Sequence, residues 1–280
     1  MAFDGIRGSL LLLLAGATSE VHRAIRVVLE RRGHEVVALS SRPSRAGYQD
    51  IFDLKEVRTL IYANAVDVII HAGGPGDQRS HVETLGNWSA QLLDAGQGVP
   101  LILTSTTLVL EGFEQRPDEF TPGKPVTPYG RATPDAEQLR LKAPHGPVQR
   151  LVNFFCSPLV CNSLLTKVLP WSLLIEGWET SHIGVRSRGD TSKESVDSGD
   201  VARAIEVSVA SEPSGTTVVA GPGAVSTMGE LGEASVSACA RAGSPKLQAS
   251  FGTESSGSSW SLAPGLLADH GWSSDLRWNG

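Results

Sequence analysis

The sequence lacks most of the features that mark secreted, membrane-spanning or metal-binding proteins. Only three of its 280 residues are cysteine, and their spacing fits neither a disulfide framework nor a zinc site. No apolar run approaches the roughly 20 residues that span a bilayer. These absences predict a cytoplasmic protein in a reducing compartment, with no bound metal and no membrane segment.

The charged residues form neither a basic cluster nor an acidic tail. They make up 19% of the chain and give a formal net charge of -6, which leaves no electrostatic footprint for nucleic acid. Hydrophobic residues make up 40%, enough for a chain of this length to bury a full core. A small molecule is therefore the expected partner, and the composition leaves open a monomer or a homodimer.

The N-terminal segment admits two interpretations. Arg7, the apolar run Leu10–Leu14 and the small residues after it are compatible with a signal peptide and its cleavage site. The run is short, however, Asp4 offsets Arg7, and a helix-like segment follows at once. This order favours a buried parallel strand that enters its crossover helix.

Strand-like apolar runs alternate with helical stretches over the first 155 residues. Strands are predicted at 10–15, 35–39, 66–71, 100–105 and 147–153, and helices at 20–32, 55–64, 82–95 and 135–142. Such alternation predicts βαβ units, helices on both faces of a parallel sheet, and a ligand crevice at the carboxyl ends of the strands. The predicted fold class is therefore α/β, with a Rossmann-like, doubly wound parallel sheet.

The turn after the first strand has the position of a phosphate-binding loop but only part of its glycine pattern. Of the spacing G-x-x-G-x-x-G, Gly16 is present, while Ser19 and His22 occupy the second and third positions. We expect His22 to be structural rather than catalytic. Backbone N–H groups at a helix N-terminus bind an anion by their direction, so the damaged pattern still predicts a pyrophosphate site. The predicted contacts are Gly16, Thr18, Ser19, Glu20 and Val21.

The end of the second strand bears on the choice of dinucleotide. NAD-binding folds usually place a carboxylate there, against the ribose 2′-hydroxyl, whereas this sequence has Ser41 and Arg42, which suit a 2′-phosphate. NADP(H) is therefore the predicted cofactor in preference to NAD. The alternative is that Arg42 is a solvated surface charge.

The second half of the chain has a looser pattern. A helix is predicted at 201–210, a strand at 216–220 and a helix at 228–242, and the Ser- and Gly-rich stretch 252–261 predicts a loop. We assign residues 1–155 to a dinucleotide-binding Rossmann-like part. Residues 156–280 are assigned mainly to a smaller C-terminal substrate lobe, with elements that return to the core of one continuous domain.

Seven short segments follow one another in the order found in one enzyme family. They are Asp53-Leu54, Val68–Gly74, Thr104–Thr107 before Gly112, Tyr129–Gln138, Arg150–Asn153, Lys193–Ala204 and Gly271-Trp272. With these segments the chain resembles the extended short-chain dehydrogenases/reductases of the NAD-dependent epimerase/dehydratase type over nearly its whole length. The resemblance implies cofactor contacts at Asp53, Leu54, Ala72, Gly73, Gly74 and Val152. It implies substrate contacts at Thr106, Asn153 and Lys193.

The resemblance also exposes a gap in the catalytic set. In the family a Ser or Thr contacts the substrate carbonyl, a Tyr transfers the proton, and a Lys four residues later lowers the pKa of that Tyr. Thr107 and Tyr129 occupy the first two positions, but Thr133 stands at the third. Without a neighbouring cation a tyrosine keeps a pKa near about 10 and is a poor proton shuttle at neutrality. Pro134 predicts that Thr133 is a helix N-cap, which places Tyr129 outside that helix.

Three functions are compatible with this sequence. The favoured one is an NADPH-dependent ketoreductase that reduces a carbonyl of a secondary metabolite, for example an aromatic polyketide in antibiotic biosynthesis. Its proton would come from the substrate, from water or from an unassigned side chain, and in this it resembles the atypical short-chain reductases of such pathways. The second is a nucleotide-sugar epimerase, dehydratase or 4-ketoreductase, in which Asn153 and Lys193 contact the diphosphate. The third is a catalytically silent dinucleotide-binding protein.

Overall fold

A parallel sheet of seven strands forms the centre of the part of the chain that the structure describes. The strands are β1 Leu11–Ala15, β2 Glu35–Ser40, β3 Gln49–Asp50, β4 Val68–Ala72, β5 Leu101–Thr106, β6 Val148–Leu151 and β10 Thr216–Val219. Their order is β10-β6-β5-β4-β1-β2-β3, and every pairing is parallel. The predicted α/β fold with a parallel sheet is confirmed.

The structure is a computed structural model. It describes residues 8–16, 20–40, 49–50, 53–72, 78–110, 112, 117–127, 130–131, 133–143, 146–151, 153–155, 182–185, 188–213, 215–219, 225–241, 248–253, 262 and 265–275. Within these ranges, no helix combines the length and the apolar character needed to cross a bilayer.

Helices cover both faces of the sheet. They are α1 Glu20–Arg31, α2 Leu54–Ala63, α3 Gln78–Ala95, α4 Pro134–Lys142, α5 Ser198–Ser211, α6 Met228–Arg241 and α7 Leu266–Asp269, with a short 3₁₀ helix at Thr107–Leu110 after β5. One buried cluster joins one face of the sheet to α1, α5 and α7, and a second joins the other face to α2, α3 and α4. This arrangement is the doubly wound layering that the alternation of strands and helices predicts.

Strand β1 explains the leucine run near the start of the chain. Leu12 and Leu14 belong to the cluster with α1 and α5, whereas Leu13 and Ala15 belong to the cluster with α2 and α3. All four residues are at most 1% exposed. A parallel strand buried on both faces needs apolar side chains in both directions, which removes the usual alternation with polar residues. The prediction of a strand at this position is confirmed.

Two small sheets lie beyond the seven-stranded one. The first contains β7 Asn153–Phe155, β9 Ser192–Asp197 and β11 Val225–Thr227, and the second pairs β8 His182–Val185 with β12 Gln248–Phe251. The prediction of a single strand over 147–153 is wrong, because β6 ends at Leu151 in the large sheet and β7 begins at Asn153 beside β9. No Gly or Pro interrupts residues 148–155, so no local signal in the sequence marks this change of partner.

The first turn of α5 holds the segment 272–275 in place. Asp197 is the N-cap of the helix, and its carboxylate accepts the N–H of Asp200 at 2.8 Å. The carboxylate of Asp200 is buried and accepts the hydroxyl of Ser274 at 2.5 Å and the N–H of Asp275 at 2.9 Å. The indole N–H of Trp272 donates to the carbonyl of Asp200 at 3.0 Å. The buried carboxylate of Asp200 therefore has a structural role.

Candidate functional site

The order of the strands locates a crevice at the carboxyl ends of β1 and β4. Strand β1 pairs with β2 on one side and with β4 on the other, so the winding of the chain reverses at β1. In open α/β sheets ligands bind outside the carboxyl ends of the strands at such a reversal. The ends of β2, β4 and β5 therefore border the candidate site.

The chain bends at Gly16, directly after β1. Gly16 has a φ of +81°, which glycine adopts without steric cost, and its N–H donates to the carbonyl of Leu39 at 3.2 Å. Helix α1 begins at Glu20, so its N-terminal N–H groups lie at the crevice, and Val21 is in its first turn. Thr18 and Ser19, two of the predicted pyrophosphate contacts, lie outside the described residues.

Beneath this turn lies a polar group that we call the histidine cluster: His22, His71, Ser89 and Thr104, all buried. Nε2 of His22 lies 3.4 Å from the hydroxyl oxygen of Thr104. The Thr104 hydroxyl donates to the carbonyl of His71 at 3.0 Å, and Nδ1 of His71 lies 3.1 Å from the hydroxyl oxygen of Ser89. The cluster thus joins α1, β4, α3 and β5 at the point where the strands end.

The histidine cluster contains an uncharged His22. Burial and, to a smaller extent, the nearby His71 lower the pKa of His22 to about 3, against an opposing effect of the backbones of Ala15 and Gly16. His22 is packed in the interior, as the sequence predicts for a structural residue.

The structure gives Asp53 a role that needs no cofactor. Its carboxylate accepts the N–H groups of Lys55 at 3.1 Å and Glu56 at 3.0 Å, which makes Asp53 the N-cap of α2. Leu54 is the first residue of that helix. The cofactor contacts assigned to Asp53 and Leu54 stay predictions, because helix capping already accounts for an acidic residue there.

Several predicted cofactor contacts fall where side chains are not described. Ala72 is the last residue of β4, at the crevice, while Gly73, Gly74 and Val152 lie outside the described residues. Ser41 and Arg42, on which the preference for NADP(H) rests, also lie outside them. The preference therefore stays a prediction.

The end of β5 brings two threonines to the same edge of the sheet. Thr106 is the last residue of β5, and its hydroxyl accepts the N–H of Leu108 at 3.2 Å. Thr107 is the first residue of the 3₁₀ helix and is buried. Since β5 is parallel to β4, Thr107 lies at the edge that borders the crevice. This position is compatible with the predicted contact to a substrate carbonyl.

Thr133, at the family's lysine position, is turned back onto its own chain. It is the N-cap residue of α4 and Pro134 follows at N1, so the predicted helix start is confirmed. The hydroxyl of Thr133 donates to the carbonyl of Gly130 at 3.1 Å, and the residue is 3% exposed. A Cβ at Gly130 would lie 2.6 Å from the carbonyl oxygen of Leu108, which seats this segment against the 3₁₀ helix. Tyr129 lies outside the described residues.

A buried ion pair fixes α4 beside β5 and β6. Arg150 and Glu137 are joined by a 2.9 Å contact, and their side chains are 7% and 6% exposed. The hydroxyl of Ser105 donates to Glu137 at 2.5 Å, and Arg150 also donates to the carbonyl of Thr121 at 3.3 Å. Ser105, Glu137 and Arg150 lie inside segments that carry the family resemblance, and sequence reasoning gave them no role. The signal that could have identified this ion pair in the sequence was a carboxylate and a guanidinium that both lie on elements expected to be buried.

Asn153 and Lys193 lie on neighbouring strands of a small sheet. Asn153 in β7 stands opposite Ser195 in β9, and Lys193 lies two residues before Ser195. Residues two apart share a face of a strand, so Asn153 and Lys193 are close neighbours in the backbone. The predicted substrate contacts are not tested by this placement and stay predictions.

The sequence matches the model of a known protein family. A model of the NAD dependent epimerase/dehydratase family matches residues 12–221, three quarters of the chain. The chain belongs to the NAD-dependent epimerase/dehydratase family. The resemblance derived from seven segments is therefore confirmed, and the match covers the large sheet from β1 to β10. No curated protein sequence matches the chain.

Solved structures of this fold support the same architecture. A UDP-glucose-4-epimerase from Stenotrophomonas maltophila with bound NAD and formylated UDP-arabinopyranose is 18% identical, with a TM-score of 0.75 over 96% of this chain and 94% of that one. MoeE5 in complex with UDP-glucuronic acid and NAD is 16% identical, with a TM-score of 0.74 over 96% and 95%. A dTDP-glucose 4,6-dehydratase from Bacillus anthracis in complex with NAD is 14% identical, with a TM-score of 0.70 over 96% and 93%. At these identities the likeness establishes the fold.

Proposed function

We propose that the protein is an NAD(P)H-dependent carbonyl reductase that works without the Tyr–Lys acid pair. The observation that carries this proposal is the burial and the hydrogen bond of the Thr133 side chain. At the position of the lysine there is a buried hydroxyl that donates to the carbonyl of Gly130, on the residue that precedes Pro134 at the start of α4. Such a group cannot lower the pKa of a neighbouring phenol.

The residues at the end of β1 fit a dinucleotide. The left-handed Gly16 lets the chain turn sharply, and the N-terminus of α1 presents N–H groups and the positive end of its dipole to the crevice. His22, which replaces the third glycine, is buried below the turn, so it leaves the crevice open. A bound dinucleotide supplies the hydride. Ser41 and Arg42 favour its NADP(H) form in this proposal.

Of the candidate reactions, reduction of a ketone requires the fewest catalytic side chains from the protein. Thr107 would donate a hydrogen bond to the substrate carbonyl, which draws charge onto its oxygen as the carbonyl carbon accepts the hydride. The resulting alkoxide would take its proton from an acidic hydroxyl of the substrate itself, or from water. A phenol close to the carbonyl is such a hydroxyl, so we propose an aromatic polyketide or a similar secondary metabolite as the substrate class.

The test compares two ketones that differ only at that hydroxyl. NADPH oxidation should proceed with a 1-tetralone that carries a free hydroxyl beside the carbonyl and should be lost with the O-methylated ketone. Tyr129→Phe should then reduce turnover only several-fold, since removal of a true general acid costs about 10²-fold or more. Reduction of the methylated ketone, together with inactivity of Tyr129→Phe, would show that Tyr129 is the acid and that the proposal is wrong.

A second candidate function is nucleotide-sugar epimerisation, dehydration or 4-ketoreduction. The neighbouring backbone positions of Asn153 and Lys193 favour it, because an amide and an ammonium are suited to one diphosphate. The solved structures of a UDP-glucose-4-epimerase and of a dTDP-glucose 4,6-dehydratase share the fold. Calorimetric titration with UDP-glucose and with UDP separates the two functions. Binding that is lost in Asn153→Ala would favour the sugar nucleotide, and absence of binding would favour the ketone.

A further inference from the structure

Three buried carboxylates from different parts of the chain bind the backbone of a single segment. That segment comprises residues 262 and 265–275, and we call it the C-terminal strap. The carboxylates belong to Glu119, Glu194 and Asp200, and all three residues are buried. A carboxylate in the interior needs hydrogen bonds or a cation to offset its lost hydration, and the N–H groups of the strap supply such bonds to each of the three.

The contact of Glu119 with the strap is a close one. Its carboxylate accepts the N–H of Gly265 at 2.8 Å and the N–H of Leu266 at 3.1 Å. A Cβ at Gly265 would lie 2.9 Å from this carboxylate, so the approach depends on glycine. Hydrogen bonds to a charged acceptor are about twice as strong as those between neutral groups, so this contact holds the strap firmly.

Glu119 ties the strap to the end of β5. It lies in the segment 117–127, and the N–H of Lys124 in that segment donates to the carbonyl of Val109 at 2.7 Å. Val109 belongs to the 3₁₀ helix that begins at Thr107. The strap is therefore bonded, through one intervening segment, to the residues around the predicted contact to the substrate carbonyl.

Glu194 ties the strap to the small sheet. Its carboxylate accepts the N–H of Leu262 at 2.8 Å. In β9 it lies between Lys193 and Ser195, and Ser195 pairs with Asn153 of β7. The strap thus binds the strand that carries one predicted substrate contact and pairs with the strand that carries another.

The strap connects two sheets that do not pair with each other. Among the described residues, the seven-stranded sheet and the sheet of β11, β9 and β7 share no strand pairing. Leu262, Leu267 and Trp272 of the strap are buried in the cluster that contains α5. We propose that the strap sets the position of the small sheet relative to the end of β5, and that Glu119 is thereby a positioning residue for the substrate. The inference rests on the proposed function, since it needs a substrate that contacts both sheets.

The experiment uses the whole protein and compares the wild type with Glu119→Ala. In Glu119→Ala, amide exchange of the unliganded protein should quicken about tenfold or more at 265–275, the effect of one lost charged hydrogen bond, and should also quicken at 192–197. The KM for the hydroxylated 1-tetralone should rise about tenfold, because substrate binding must then restore the order that the bond supplies. The Kd of NADPH, measured by calorimetry without the ketone, should stay within about twofold of the wild type.

Two further variants test the bond from either side. Glu119→Gln keeps an acceptor without the charge, so its changes in exchange and KM should be smaller than those of Glu119→Ala. Gly265→Ala leaves the carboxylate in place but displaces it from the strap, so this variant should repeat the effects of Glu119→Ala.

Glu206 provides a matched control. It is also a buried glutamate, but its carboxylate accepts hydrogen bonds from Arg32 and none from the strap among the described residues. Glu206→Gln therefore reports what a general loss of stability does. Its exchange at 265–275 and its KM for the ketone should stay within about twofold of the wild type.

The outcomes separate this inference from the proposed function. An unchanged KM in Glu119→Ala, with quicker exchange confined to the strap, would overturn the inference and leave the proposed function standing. An equal rise in KM in Glu206→Gln would also overturn it, because general destabilisation would then explain both variants. If the wild type reduces no ketone, the proposed function fails, and exchange at 192–197 in Glu119→Ala alone decides the inference: quicker exchange supports it, and unchanged exchange overturns it. Should Glu119→Ala not fold, Gly265→Ala takes its place in the same comparisons.

Discussion

The buried pair of Glu137 and Arg150 yields the sharpest quantitative prediction. Glu137→Gln keeps the shape of the side chain but leaves the guanidinium of Arg150 without its counterion in the interior. The carboxylate accepts hydrogen bonds from the Arg150 guanidinium at 2.9 and 3.2 Å and from the Ser105 hydroxyl at 2.5 Å. Removal of one partner of a buried pair costs about 3–5 kcal/mol. At about 2–3 °C per kcal/mol, the Tm of a domain of this size should fall by roughly 6–15 °C.

The exposed pair of Arg58 and Asp94 is the control for this prediction. Their side chains are 52% and 59% exposed, and their contact is 2.7 Å. Exposed pairs contribute about 1 kcal/mol or less, so Asp94→Asn should lower Tm by roughly 3 °C at most. Circular dichroism melts at neutral pH measure both variants. Equal shifts in Glu137→Gln and Asp94→Asn would refute the reasoning, because burial would then have no effect on the energy of the pair.

Three further predictions concern other parts of the molecule. Glu206→Gln should lower the free energy of unfolding by roughly 1–3 kcal/mol at pH 7, because Glu206 accepts two hydrogen bonds from Arg32. Burial raises the pKa of Glu206, but its bonds to Arg32 and His34 lower it more, so this difference should disappear as pH falls below 4.5 in urea titrations; a constant difference would contradict the prediction. Thr133→Lys should destabilise the protein by about 1–3 kcal/mol without raising turnover, since it overpacks a buried N-cap; a faster variant would contradict this. Arg42→Ala should abolish the preference for NADPH over NADH, and equal affinities in the wild type would refute it.

Local sequence signals predict most elements of the large sheet. Pro134 marks the start of α4 because it fixes φ and lacks an N–H, and the helix begins there. Helix α5 begins at Ser198, three residues before the predicted 201, because the carboxylate of Asp197 caps it. That capping signal was present in the sequence and was not used. The two small sheets were not predicted, since their short strands pair over long sequence separations.

The candidate site was predictable in its position and less so in its contacts. The order of strands places Gly16, Ala72 and Thr107 at one edge of the sheet, as expected. The bond between His22 and Thr104 joins residues 82 positions apart, and no local pattern signals it. The family resemblance assigned Asp53 to a cofactor contact and gave no indication of its role as a helix cap. Residue type alone does not separate a capping carboxylate from a ligand contact.

Strand β1 has a further consequence, which concerns register. Leucine on both faces means that a slip of one residue exchanges one leucine for another, so hydrophobic burial does little to select the correct pairing. Polar contacts at the amino end select it: Asp67 accepts the N–H of Leu11 at 2.7 Å, and His34 accepts the N–H of Leu10 at 3.2 Å. A slip of one residue therefore costs little burial of the leucines, but it breaks the hydrogen bonds to Asp67 and His34. Two polar residues at the amino end of the strand thus favour the register in which β1 ends at Ala15 and the chain turns at Gly16.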